Sequence, residues 1–260
     1  MEVIIQPDPA AASKEAARIF ERQLGEKPTS VLGLATGSTP LGLYRELIER
    51  HRAGALDFSR ATTFNLDEYV GLPGAHPQCY RAFMEQNLFS QINLPSNRAF
   101  VPNGMAQDIP IHCAEYEDAI RRCGGIDLQL LGLGSDGHIG FNEPSSSLSS
   151  RTRLKTLTPQ TIADNARFFG SPADVPRHVI TMGVGTIMEA AHIVVLATGR
   201  GKAHAVAAMV EGPITADAPA SILQMHRKCT LILDEPAAES LKRQDYYHWV
   251  YDHKPEWQRL

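Results

Sequence analysis

The densest chemistry in the chain lies between Leu131 and Pro144, in LGLGSDGHIGFNEP. Four glycines alternate there with Asp136, His138, Asn142 and Glu143. An imidazole flanked by two carboxylates can have its charge, tautomer and orientation fixed, which a proton-transfer residue requires. A lone histidine is more often structural, but one set beside acids among glycines points to function. Metal binding is the competing reading. It ranks lower because no second His or Cys sits nearby to complete a ligand set. A second stretch, Asn65-Leu66-Asp67-Glu68-Tyr69, puts two adjacent acids beside a turn. Such an acid can serve as a general base, although a solvated loop acid is the commoner role. Alternation along a strand sends Asp67 and Glu68 to opposite faces, so at most one is expected to reach a substrate.

Other segments suit an anion. Ala35-Thr36-Gly37-Ser38-Thr39-Pro40 leads into a helix starting at about Pro40. Glycine permits close backbone approach, and the helix N-terminus presents free N–H groups and a positive dipole end. The plainer account is a capped helix start, with Ser or Thr at the cap and Pro at the first turn. The sequence is neither a Walker A loop nor a GxGxxG turn, so no nucleotide is implied. Lys202, in Arg200-Gly201-Lys202, stands at another helix start. A cation is unfavourable there unless an anion joins it. Between residues 145 and 170, Arg151, Arg153, Lys155 and Arg167 face a single acid, Asp164. An anion site and a solvated charged loop account for that stretch equally well.

The elements that must position these residues are short apolar runs, each followed by a helix-like segment. The runs are 31–36, 61–69, 99–103, 126–134, 178–183, 192–199 and 229–235. Runs of four to eight residues, apolar on both faces, suit a parallel sheet covered by helices. The expected fold is α/β: one doubly wound, mostly parallel, Rossmann-like sheet with helices on both faces, forming a single domain over 1–260. In such sheets ligands bind beyond the carboxyl ends of the strands, which is where the residues above fall.

Composition bounds the partners. The chain has 260 residues, 43 % hydrophobic and 21 % charged, with a formal net charge of −4. These values fit a globular protein, and the mild acidity argues against non-specific nucleic-acid binding. The four cysteines, Cys79, Cys113, Cys123 and Cys229, form no CxxC pair and read as reduced thiols. No membrane span or signal peptide is evident, so a cytoplasmic location is expected.

Taken together, ATGSTP (35–40), FNLDEYVGL (64–72), GLGSDGHIGFNEP (132–144), SRTRLKTLT (150–158), ARFF (166–169) and ATGRGKA (197–203) resemble the glucosamine-6-phosphate deaminase family. The glycine-flanked DGH is shared with 6-phosphogluconolactonases. DEYVGL combined with DGHIGFNEP is specific to the deaminases. The resemblance implies conversion of glucosamine 6-phosphate and water to fructose 6-phosphate and ammonia, with no metal or organic cofactor. It implies that Asp67 shuttles the proton between C2 and C1, and that His138 assists ring opening. By the same resemblance, Asp136 and Glu143 are expected to set the protonation and orientation of His138, and Gly37, Ser38 and Thr39, with Arg167 and Lys202, to hold the phosphate. Some relatives are hexamers activated by N-acetylglucosamine 6-phosphate, which implies a homo-oligomer and maps an activator site onto Ser146, Arg153 and Lys155. The aromatic C-terminus departs from the family pattern. A lid is expected near 158–176, where Phe168 and Phe169 lie. Two rival readings are a lactonase, which would lack the FNEP extension, and a sugar-phosphate-sensing domain of a transcriptional regulator. The latter would need a DNA-binding module, for which no room is seen before Val31.

Overall fold

The computed structural model describes residues 1–255 and Gln258. Along the chain run β1 (Glu2–Gln6), α1 (Pro9–Glu26), β2 (Val31–Leu34), α2 (Leu41–Arg52), β3 (Thr62–Asn65), β4 (Asp67–Tyr69) and α3 (Tyr80–Asn87). Then follow β5 (Ala99–Phe100), α4 (Ile109–Arg122), β6 (Leu128–Gly132), β7 (Arg153–Thr156), α5 (Pro159–Phe169), β8 (His178–Thr181) and α6 (Val184–Met188). The chain closes with β9 (His192–Ala197), α7 (Ala203–Glu211), β10 (Cys229–Asp234), α8 (Glu235–Ala238) and α9 (Gln244–Asp252).

Seven strands form one parallel sheet in the order β1-β10-β9-β6-β2-β3-β5. Every residue of β9 and β10 is buried, so helical layers cover both faces, as the apolar runs require. The helices begin where local chemistry stops a strand-like path. Asp8 caps α1 by accepting from the Ala11 N–H at 2.8 Å, with Pro9 in the first turn. Asp108 caps α4 in the same way, and Gly124 and Gly125, both at positive φ, end it. From β2 the sheet grows through β3 to β5, then returns to β6 on the other side of β2. Loops leaving β2 and β6 therefore part in opposite directions. The crevice between them is the expected ligand site of a doubly wound sheet.

Four features differ from the sequence reading. The run 61–69 is two strands, broken at Leu66. Its backbone donates to Leu34 O and accepts from Met182 N, so the chain leaves the large sheet there. Asp67–Tyr69 joins a separate antiparallel sheet of order β4-β8-β7. The run 178–183, read as part of the parallel sheet, supplies β8 of this small sheet. The basic stretch 153–156 is its edge strand, β7, not a loop. Strand β1 was not among the expected runs, although Val3-Ile4-Ile5 carried the signal. A second hydrophobic cluster of Tyr69, Phe141, Leu157, Val175 and Val179 packs the small sheet, with Phe169 of α5 against it. All four cysteines are free. Among the described residues no helix is long and apolar enough to cross a membrane.

Candidate active site

A cleft of about 380 Å³ opens at the switch point, lined by Thr36–Thr39 after β2, by Gly132–Ser135 and His138 after β6, and by Asp67. Arg167 and Phe168 of α5 and Lys202 before α7 close its rim. Three larger clefts lie between α1 and α9 (about 810 Å³), against α4 and β7 (about 650 Å³) and between the end of α4 and α6 (about 430 Å³). The smaller one alone gathers the acid, the histidine and the two cations, and chemistry decides over volume.

At the acid end, Asp67 is 5 % exposed. Burial, and then the charge of neighbouring Glu68, push its pKa up to about 8. Such a carboxyl can take up and return a proton near neutrality. Glu68 turns the other way and is bound to the start of α3, as strand alternation requires. Gly140, at φ +57°, brings the next loop against this acid. A Cβ there would lie 3.1 Å from Thr181 Oγ1 and 3.5 Å from Asp67 Oδ2.

His138 Nδ1 lies 2.6 Å from Asp136 Oδ1, and the same oxygen accepts the His138 backbone N–H at 3.1 Å. The carboxylate thus fixes the ring's rotation and leaves Nε2 as the nitrogen open to a ligand. Burial opposes the charge on Asp136, but the hydrogen bonds and charge of His138 prevail and hold its pKa below the usual carboxylate value. The ring lies directly on Gly134, where a Cβ would come within 2.3 Å of Nδ1. Glycine at this position is therefore a steric requirement.

Glu143 corrects one expectation. It does not join Asp136 at His138. Its Oε1 accepts from the Thr158 N–H at 3.2 Å, from Thr158 Oγ1 at 3.0 Å and from the Thr161 hydroxyl. The turn through Gly140, closed by the Ile139–Asn142 bridge, leads to Glu143, whose carboxylate sits on the first turn of α5. Glu143 therefore anchors the helix that roofs the cleft. Thr158 and Thr161 were missed in the sequence; the Thr-Pro-Gln-Thr start of α5 was the available signal. Tyr80 was also missed. It lines the cleft from α3 with its ring centroid 4.9 Å from that of Tyr69, and nothing local in the sequence marks it.

At the opposite end, the start of α2 is not the side-chain-capped one that the sequence also allows. Its N-cap is Pro40, and no side chain caps it. Ser38 and Thr39 line the cleft instead, with Gly37 at φ +91° turning the backbone towards it. Lys202 is half-buried. Burial and the charge of Arg167 push its pKa down, against the pull of Asp136 and Asp164. Arg167 lies over the Phe168 ring at 4.7 Å. Two cations brought together beside a glycine turn suit a phosphate, which relieves their repulsion.

The expected activator residues lie elsewhere. Ser146 is buried with its hydroxyl unpartnered. Arg153 and Lys155 share one face of β7, and Arg153 donates to Asn142 Oδ1 at 2.9 Å. Among the described residues no group of three His, Cys, Asp or Glu side chains is arranged to hold a metal ion.

The model of glucosamine-6-phosphate isomerases and 6-phosphogluconolactonases matches residues 8–232. The chain belongs to that family. Within it, the chain is 53 % identical to a glucosamine-6-phosphate deaminase of Rhodococcus jostii strain RHA1, over 99 % of both chains. It is 55 % identical to one of Pseudarthrobacter chlorophenolicus, over the full length of both. A solved structure titled as a monomeric glucosamine-6-phosphate deaminase superposes with a TM-score of 0.90 at 44 % identity, covering 92 % of this chain and 100 % of that one. The 6-phosphogluconolactonase of Trypanosoma cruzi superposes with a TM-score of 0.74 at 22 % identity, covering 93 % of this chain and 97 % of its own. That likeness speaks for the fold alone.

Proposed function

We propose that this family member is a glucosamine-6-phosphate deaminase, converting glucosamine 6-phosphate and water to fructose 6-phosphate and ammonia. The observation that carries this reading is the placement of a buried Asp67, whose carboxyl can take up and give back a proton near neutrality, and a carboxylate-held His138 at one end of a cleft with two cations at the other. The phosphate docks on the 37–39 turn, Lys202 and Arg167. His138 Nε2 passes the ring-opening proton and exposes the C1 aldehyde. Asp67 removes the C2 proton, giving an enolamine, and returns it to C1. The resulting C2 imine takes up water and releases ammonia, leaving the ketone. Helix α5, anchored by Glu143, acts as a lid that limits water at the intermediate.

Purified protein is expected to release ammonia from glucosamine 6-phosphate with or without EDTA, and faster than from its C4 epimer. Lactone hydrolysis without ammonia release overturns the reading in favour of the lactonases. We further propose that the reaction is cytoplasmic, which the free thiols support. Ser146, Arg153 and Lys155 receive the activator phosphate in a homo-oligomer. Sedimentation with and without N-acetylglucosamine 6-phosphate tests that assembly against a monomer. Rate curves that stay hyperbolic and unmoved by the activator remove it.

A further inference from the structure

Glu68 takes no part in the steps above, yet it is among the most tightly held side chains near the site. It is 2 % exposed. Its Oε1 accepts from the Tyr69 N–H at 2.8 Å and the Tyr80 N–H at 2.9 Å. Its Oε2 accepts from the Arg81 N–H at 3.0 Å and the Cys79 thiol at 2.9 Å. Amide N–H groups only donate, so the group that fits is one accepting on both oxygens, a carboxylate. Tyr80 and Arg81 open α3, and the N-cap residue Cys79 supplies no side-chain cap. Glu68 therefore caps that helix from a neighbouring strand, where the helix dipole also favours an anion.

We propose that Glu68 is a positioning residue for the proton-transfer step: its carboxylate, locked on the start of α3, presents a fixed negative charge beside Asp67 that keeps a proton there, and it pins Tyr80 in the cleft wall. The inference rests on the reading of Asp67 as the proton shuttle. The ionisable groups around Asp67 come from every element packed on it. They are Tyr44 of α2, Tyr69 of β4, Tyr80 of α3 and Tyr116 of α4. His138 and Lys202 share its cleft, and Thr181 of β8 and Gly140 close the near side. Glu68 adjoins Asp67 on β4, is buried with it and is held by four donors, so its charge is fixed beside that acid and, after burial, raises its pKa. A like charge held in a buried site favours the neutral partner.

The test is a carbon-13 carboxyl NMR titration of the free, full-length protein, with Asp67 assigned by its loss in Asp67→Asn. Glu68→Gln is expected to lower the Asp67 midpoint by about one unit, and the acid limb of kcat/KM should move with it. Cys79→Ala removes one donor but no charge, and is expected to leave the midpoint within about 0.2 unit. An unmoved midpoint in folded Glu68→Gln overturns the proposal. So does an equal shift in Cys79→Ala, which would trace the effect to packing. If Glu68→Gln does not fold, Glu68→Asp decides: it keeps the charge on a stem one carbon shorter, off the α3 N–H groups, so a changed Asp67 midpoint is expected, and an unmoved midpoint overturns the proposal. The titration needs no turnover. Absent ammonia release with a normal titration would sink the deaminase reading and leave Glu68's role standing.

Discussion

Two basic regions of the molecule carry similar charges and use them differently. Around the cleft, Lys202 and Arg167 form no ion pair among the described residues, and each pushes on the other or rests on an aromatic ring. In the segment 150–155 the two arginines are bound into the structure. Arg151 bridges Glu189 at 2.5 Å and buried Glu117, which also holds the Thr152 N–H at 2.9 Å and the Thr186 hydroxyl. Arg153 is tied to Asn142, whose amide nitrogen grips the Ile139 and Met182 carbonyls. A run of basic residues thus says little by itself. What matters is whether the fold supplies each cation with a partner, because an arginine already paired gains less from a new anion. The second region acts on the cleft through structure: Asn142 fixes the turn that sets Gly140 against Asp67.

The largest expected effect lies at the acid end. Asp67→Asn should lower kcat by at least ~10³-fold while phosphate-ligand binding changes little. A binding loss equal to the rate loss would make Asp67 a substrate anchor and not the base. The same substitution should stabilise the fold. A carboxyl whose pKa rises on folding keeps its proton to about pH 8, whereas the unfolded chain releases it near 4. Stability therefore falls as pH rises between those values, and the substitution removes that cost. Urea unfolding should show a gain on the order of 2–4 kcal/mol at pH 7.5 that vanishes near pH 3.5.

The next contrast separates the two basic regions. Lys202→Met should raise KM by about 10- to 100-fold with kcat nearly kept, the worth of one charge-assisted phosphate contact. Arg151→Ala should leave KM alone and cost about 1–2 kcal/mol of stability, since buried Glu117 loses a partner. Steady-state kinetics paired with denaturation read both, and the reverse pattern breaks the comparison. The smallest effect is assigned to Arg153→Ala. Basal KM should stay within about twofold, and any response to N-acetylglucosamine 6-phosphate should disappear. A tenfold change in basal KM would place Arg153 in the substrate site.

Much of this was legible in the residues. Apolar runs followed by capped helices point to a doubly wound sheet, because a strand buried on both faces leaves no polar alternation. Glycines at 37, 134 and 140, acids at 67 and 136, and His138 mark the strand ends, since only a ligand site gathers such types there. Tertiary structure decided the rest. The break at Leu66 moves Asp67 out of the large sheet, and that depends on hydrogen bonds to Leu34 and Met182, far away in sequence. Glu143 pairs with α5 and not with His138 because the Gly140 turn sends it there. Glu68 looks equal to Asp67 in the sequence. Alternation sends the two to opposite faces, but only packing decides that one carboxylate meets three N–H groups and a thiol while the other is left to a buried cleft. Local pattern fixes which residues are available and which way they point; the desolvation and partners that set their charge come from chain segments brought together by the fold.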